Sequence, residues 1–213
     1  MAKKTIQVGP PTFAHEKTFW NEGKLLVGGI DEAGRGPLAA ACVSACVILD
    51  RDAYPSRLND SKKLNRTTLE ALYDEIMASA VSVSVGLATH AQIDEMNIRQ
   101  ATFHAMREAA LGLSVPADAF IVDGNALPQG LGKVAKAVIS GDALSLSVAA
   151  ASIIAKVTRD RMMREYAEQY PQYGFEVHMG YPTKAHLEAL AKYGPCPIHR
   201  MTFGPLKSLA RVR

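Results

Sequence analysis

Four acids stand where apolar runs stop. Leu25-Leu26-Val27 leads through Gly28-Gly29-Ile30 to Asp31 and Glu32. Phe120-Ile121-Val122 ends at Asp123-Gly124, and Val134 to Ile139 ends at Ser140-Gly141-Asp142. Short apolar runs closed by glycine read as buried strands. If these strands share a sheet and run parallel, their carboxyl ends meet on the edge where open α/β sheets bind ligands. Carboxylates gathered there cannot all stay ionised without a counter-charge, because like charges raise one another's pKa. Divalent metal is the usual answer, and an all-oxygen set favours Mg²⁺ or Mn²⁺ over zinc. Two such ions about 3.5–4 Å apart clamp the attacking and leaving oxygens of a phosphoryl transfer. Taken singly, each acid has a plainer reading as a turn residue or helix cap. That holds most for Asp142, just ahead of a helix.

Asp31 and Glu32 are neighbours, and neighbours on a strand face opposite ways. Both serve one site only if the chain turns out of the strand at Glu32, a turn that Gly34 and Gly36 permit. Other chemistries lack their signatures. There is no Gly-x-Ser-x-Gly elbow, no Walker loop and no His-Glu-x-x-His, and Gly34-Arg35-Gly36 is too short for a dinucleotide fingerprint. The histidines make no zinc spacing with the cysteines and read as surface or hydrogen-bonded residues. Lys62 and Lys63, beside the Asn59-Asp60-Ser61 turn, are a solvated loop by default and phosphate contacts by opportunity.

The elements that must position these groups follow from patterning. Residues 1–12 form a polar lead-in expected to be mobile. Phe13, Phe19 and Trp20 suggest a short edge helix. A first strand covers about 25–31, and the apolar run Leu38–Leu49 is a second. Thr67 and Glu70 form a capping box for a helix burying Leu69, Leu72, Tyr73, Ile76 and Met77. Val81, Val83 and Val85 alternate with serines as in a half-buried strand. Thr89 with Gln92, and Asn97 with Gln100, read as further capping boxes. The second opens a helix to Leu111 that buries Ala101, Ala105, Met106 and Ala109. A long helix from about Ser145 to Tyr170 is apolar in its first half and charged, hence solvated, in its second. Thr183 caps a last helix burying Leu187, Leu190 and Ala191.

The chain has 213 residues, a net charge of +3 and a sequence pI near 8.7. No apolar run spans a membrane and no signal peptide is apparent. Three cysteines in no metal spacing read as reduced thiols of a cytoplasmic protein. An acidic centre on an otherwise basic surface suits a polyanion bound across cations.

The run Gly29-Ile30-Asp31-Glu32-Ala33-Gly34-Arg35-Gly36-Pro37 resembles the signature of bacterial ribonuclease HII, the type-2 ribonuclease H family. So do Leu58-Asn59-Asp60-Ser61-Lys62-Lys63-Leu64, Val122-Asp123-Gly124-Asn125, Ala149 to Asp160, and Gly180-Tyr181-Pro182-Thr183. The likeness runs from about Leu25 to Phe203. It implies an α/β, ribonuclease H-like fold: a mixed five-stranded sheet flanked by helices, with a small C-terminal helical part. On that division, residues 1–22 are lead-in and short helix, 23–170 the catalytic domain and 171–213 the substrate-contacting helical part. It implies that Asp31, Glu32, Asp123 and Asp142 bind two Mg²⁺ or Mn²⁺ ions. Gly34, Arg35 and Gly36 would read a ribose 2′-hydroxyl, the group that separates RNA from DNA. Tyr181 would pack on the sugar to its 3′ side. The implied substrate is an RNA–DNA hybrid, or a DNA duplex containing ribonucleotides, cut on the 5′ side of a ribonucleotide by a monomer. Lys62, Lys63, Lys156 and Arg200 are candidate phosphate contacts. A non-catalytic hybrid-binding module and a junction resolvase are the alternatives.

Two positions depart from the family's pattern. Leu144 and Met179 stand where it is usually basic, so weaker hybrid binding is expected, and Leu144→Lys should tighten it. Arg35→Ala is expected to impair selectivity or turnover while sparing metal binding.

Overall fold

The computed structural model describes residues 9–131 and 134–209. The reading of a mobile lead-in falls largely outside these residues. In chain order the elements are α1 (Ala14–Trp20), β1 (Val27–Ala33), β2 (Cys42–Ile48), α2 (Arg66–Ser79), β3 (Ser82–Ala88), α3 (His90–Met96), α4 (Ile98–Leu111), β4 (Ala119–Asp123), β5 (Val134–Val138), α5 (Gly141–Leu144), α6 (Leu146–Gln169), α7 (Phe175–His178), α8 (Lys184–Tyr193) and α9 (Gly204–Leu209).

The strands form one mixed five-stranded sheet in the order β3-β2-β1-β4-β5. β1, β2 and β3 form an antiparallel meander. β4 lies parallel to β1, and β5 parallel to β4. The carboxyl ends of β1, β4 and β5 therefore share an edge, as the strand-end acids require.

Helices cover both faces. Val43, Ala45 and Val47 of β2 pack with Leu72 and Ile76 of α2 and Ile153 and Ile154 of α6. Ile30, Ile48, Phe120 and Val122 pack on the other face with Met106 and Ala109 of α4. The start of α6 lies almost on β1. A Cβ at Gly29 would stand 2.1 Å from the Ser147 carbonyl carbon, so no larger residue fits. α1 locks this arrangement, as its expected edge position allows. Its buried Glu16 carboxylate accepts from the Ser145 hydroxyl at 2.6 Å and the Ser147 amide at 3.0 Å. An anion at a helix N-terminus is favourably placed.

The C-terminal part has its own small core, in which Phe175, Leu190, Ile198 and Leu206 surround Tyr173. Leu38, Ala39 and Ala40 from the β1–β2 connection, with Met163 from α6, complete it. This core ties α7, α8 and α9 to the loop after β1.

Several local expectations give way. β1 begins later than predicted and runs on through both acids to Ala33. α2 is capped by Asn65, whose side chain accepts from the Thr68 amide, rather than by Thr67. Glu70 is thereby free to pair with Arg161 and Arg164 of α6. Met77, expected inside, is half exposed. On β3 the small residues Ser82 and Ala88 are buried while Val85 and Leu87, with Val81 just before the strand, face solvent, because α4 packs tightly on the glycine-containing face. Thr89 and Gln92 do make the reciprocal capping box. Asn97 caps α4 alone, accepting from Arg99 and Gln100. α8 buries His186 and Leu190, leaving Leu187 and Ala191 exposed.

Candidate active site

β1 outruns its parallel neighbour. Its pairing with β4 ends at Ile30–Val122, while Asp31, Glu32 and Ala33 pair only with β2. The flank of β1 beyond β4 is open, and there carboxylate oxygens of Asp31, Glu32 and Asp123 all lie within 4.8 Å of one another. The two neighbours thus share a site although the strand continues through Glu32. Convergence comes from the open flank, not from an early turn.

Asp31 is buried, and its Oδ1 accepts from the Glu32 amide at 2.7 Å. Burial, then the charges of Glu32 and Asp123, push its pKa well above the carboxylate range. Burial also raises Glu32, against the pull of Arg35. Burial raises Asp123 too, with Asp142 adding to it, against the Gly141 amide that donates to Asp123 at 2.6 Å. Such a cluster is under-compensated by protein alone, and its all-oxygen donors fit a hard divalent cation.

Asp142 lies outside this triad. It sits on the one-turn helix α5, not at the strand end, and its carboxylate accepts from Lys62 Nζ at 2.7 Å. Burial works against the Lys62 charge, but the bond to Asp142 and the charges of Asp142, Asp60 and Asp31 together outweigh it and raise the ammonium pKa. Lys62 is therefore a counter-charge to the fourth acid.

A cleft of about 250 Å³ opens over the carboxylates. Gly34, Arg35, Gly36 and Tyr181 line it, as do Lys62 and Lys156. Arg35 donates to Glu32 at 3.2 Å. This pairing ties Arg35, expected to read the ribose, to an acid of the cluster. Tyr181 is 46% exposed, its ring 3.4 Å from where a Gly36 Cβ would stand. Lys156 is bound to Asp160 of its own helix at 2.6 Å. Lys63 is exposed beside Lys62 but does not line the cleft.

Arg200 overturns its prediction. It is completely buried and reaches no surface where a phosphate could lie. Its guanidinium donates to the carbonyls of Gly34 at 2.7 Å, Pro37 at 2.8 Å, Ala40 at 2.9 Å and Arg35 at 3.2 Å. Burial lowers its pKa to about 10. Arg159, placed by sequence on a solvated half of α6, is also buried, donating to the carbonyls of Ala39, Ala41 and Met179. Together they hold the connection after β1 by its carbonyls. Gly34 has φ +92°, and a Cβ there would lie 2.1 Å from Arg159 Nε, so the position excludes side chains.

Behind Tyr181 lies a second unpredicted device. His186 Nδ1 meets the Tyr181 carbonyl at 3.0 Å, and its Nε2 meets His199 Nε2 at 3.1 Å. The carbonyl can only accept, which assigns the tautomers. His186 donates from Nδ1, His199 donates from Nε2, and His199 Nδ1 accepts from the Cys196 amide at 3.0 Å. Burial, then His186, lowers His199 to about 4.

Leu144 is half-buried against the cluster of Phe19, Val27, Val138 and Val148. Met179, at φ 50°, packs on the C-terminal core and offers its carbonyl to Arg159. A lysine at 144 would have to leave apolar packing to reach a phosphate.

The mixed sheet, covered on both faces and carrying acids at its parallel edge, defines a ribonuclease H-like nuclease. Solved structures agree. The ribonuclease H2 of Pyrococcus horikoshii superposes with a TM-score of 0.73 at 27% identity, covering 87% of this chain and 97% of that one. The RNase HII in a PCNA complex from Archaeoglobus fulgidus gives 0.71 at 28%, over 84% and 96%. A manganese complex of Bst-RNase HIII, at 17% identity and TM-score 0.68, shares the fold. A sequence profile of ribonuclease HII matches residues 28–205. Ribonucleases HII from Endomicrobium trichonymphae and Agrobacterium fabrum are 50% and 51% identical over 92% of this chain, covering 94% and 90% of their own lengths. The chain belongs to the ribonuclease HII family. Among the described residues no helix is long and apolar enough to cross a membrane.

Proposed function

We propose that this ribonuclease cuts the phosphodiester on the 5′ side of a ribonucleotide, in RNA–DNA hybrids and in DNA duplexes with embedded ribonucleotides. It leaves a 3′-hydroxyl and a 5′-phosphate. The observation that carries the reading is the meeting of Asp31, Glu32 and Asp123 on one sheet edge, in a cleft walled by Gly34, Arg35, Gly36 and Tyr181.

Asp31, Glu32 and Asp123 would hold two Mg²⁺ or Mn²⁺ ions, with Asp142 joining them on release from Lys62. Bound there, the ions would activate water and stabilise the leaving 3′-oxygen. The rest is the chain's own work. Arg159 and Arg200 fix the loop after β1 by its carbonyls, which presents Gly34, Arg35 and Gly36 to the ribose. Tyr181 offers an exposed ring to the neighbouring sugar, its backbone held by His186. Lys62 and Lys156 supply positive charge for the phosphates. Residues 171–213 act as the substrate-contacting part and 23–170 as the catalytic part. On this reading the protein works on DNA as a monomer in the cytoplasm.

The test is a DNA duplex carrying one ribonucleotide, incubated with Mg²⁺ or with EDTA. The reading expects a metal-dependent nick on the 5′ side of that nucleotide. Binding without nicking would make the chain a hybrid-binding module, and cutting of all-DNA junctions would make it a resolvase. Either result would overturn the reading.

A further inference from the structure

The carboxylate edge opens toward both faces of the sheet, and the cleft described above accounts for one. On the α4 side a second hollow, about 70 Å³, shares Glu32, Arg35 and Asp123 with it. Arg99 and Phe103 of α4 line it together with Gly124 and Asn125. The same two residues open onto a third hollow, about 270 Å³, which Arg107 and Gln129 continue. A trail of hollows thus leads from the acids along α4.

Arg99, Phe103 and Arg107 are spaced i, i+4 and i+8, so they form one row on the helix, with neighbours about 5–6 Å apart at Cβ. Arg99 is exposed, its guanidinium carbon 5.6 Å from the Phe103 ring centre. Phe103 and Arg107 are partly exposed. Among the described residues neither arginine has a carboxylate within ion-pairing distance. Two arginines on the opposite helical layer differ in this respect. Arg161 and Arg164 of α6 are spent on Glu70. Two unspent guanidiniums flanking an aromatic, in line with Arg35 and the acids, are complementary to a chain of phosphates.

We propose that this face of α4 is a second backbone track, holding phosphates of the bound duplex where one flank passes beyond the carboxylate edge. The proposal rests on the nuclease reading above and adds where the substrate's flank lies. Guanidiniums bind phosphate bidentately, and each phosphate neutralised adds to the salt dependence of binding. The track therefore acts through the length of the flank, not through the ribonucleotide.

The experiment measures binding by fluorescence anisotropy in EDTA. The probes are single-ribonucleotide duplexes whose flank on either side is cut short or extended by about one helical turn, ~10 base pairs. Arg99→Gln with Arg107→Gln is expected to weaken binding about 5- to 30-fold when one particular flank is long, with the salt slope falling by about 1–2. When that flank is short, the double variant and the parent should bind alike. Arg99→Lys with Arg107→Lys should retain most long-flank affinity. Equal affinity and salt slope at every length would overturn the proposal, as would a loss that ignores length. Loss of affinity for an acidic peptide alone would assign the row to a protein partner and overturn it as well. Nicking by the parent distinguishes the two levels. A parent that nicks, with an unaffected variant, removes the track and leaves the nuclease reading intact.

Discussion

Lys62 Nζ lies 2.7 Å from the Asp142 carboxylate, and this pair keeps the fourth acid apart from the other three. The ammonium stands where a divalent cation would compete with it. Without Lys62 the metal-free edge carries one more uncompensated charge. Lys62→Gln is expected to lower the thermal midpoint in EDTA and to enlarge the rise produced by Mg²⁺. A thermal shift series over Mg²⁺ concentration checks this. An identical Mg²⁺ response in both proteins would remove Lys62 from the cluster's charge balance.

Asp31 is the most enclosed acid of the cluster, and burial with two acidic neighbours makes its charge costly. Asp31→Asn keeps the shape and removes the charge. The variant should be more stable than the parent in EDTA, by roughly 2–4 °C for each 1 kcal/mol relieved in a chain of this size. Nicking in Mg²⁺ should fall by a factor of order 10²–10³. Melting curves and product gels give the two readouts, whose opposite signs separate a functional charge from a structural one.

Arg35 pairs with Glu32 at 3.2 Å, so Arg35→Ala does more than strip a ribose contact. Removing the guanidinium takes away the stronger of two cations that favour the charged form of Glu32, the other being Lys62. Selectivity for ribose over deoxyribose is expected to fall, and divalent affinity to change with it. Parallel titrations of metal and substrate test this coupling. Metal affinity equal to the parent's would show the two roles to be separable.

Arg200 satisfies four loop carbonyls at once, a number and geometry a lysine ammonium cannot match. Arg200→Lys should cost about 2–4 kcal/mol of stability, because carbonyls are left buried without donors. Among molecules that remain folded, discrimination between an embedded ribonucleotide and the deoxy equivalent should drop about 10- to 100-fold, the loop being less fixed. Urea unfolding and paired nicking rates check the two effects. Full discrimination in a destabilised variant would make Arg200 a purely structural clamp.

The His186–His199 pair carries a pH dependence. The folded-state pKa of His199, about 4, lies below its unfolded value near 6.5. The stability gained from the neutral ring is complete above about pH 6.5 and is lost as pH falls toward 4. The loss is of the order of 3 kcal/mol at most. His199→Gln should flatten that limb of the stability profile. A variant as steep as the parent would assign the acid limb to other groups.

How much of this was legible in residue types depends on the range of the interaction. Asp123 and the end of β4 were readable, because an apolar run closed by Asp-Gly is a local signal. The sharing of one edge by β1, β4 and β5 followed from the recurrence of that signal. The exposed valines of β3 were not readable. Alternation says that two faces differ, but not which one a glycine-permitted helix will cover. Thr67 and Asn65 both suit a cap; the choice fell to Asn65, and the rejection of Thr67 freed Glu70 for α6. Arg159 and Arg200 carried no local sign of burial, since all but one of their carbonyl acceptors, that of Met179, lie more than a hundred residues away. His186 shares the buried face of α8 with Leu190, in place of the expected Leu187 and Ala191, because its partner His199 arrives from beyond the helix.

The central claim is that Asp31, Glu32 and Asp123 hold divalent cations at the carboxyl edge of the sheet. Diffraction from crystals soaked in Mn²⁺, with data collected for anomalous scattering, tests it most directly. The account predicts anomalous peaks at about metal–oxygen bonding distance from these three carboxylates, with Asp142 turned from Lys62 toward one of them. Anomalous density elsewhere on the protein and none at this cluster would contradict it.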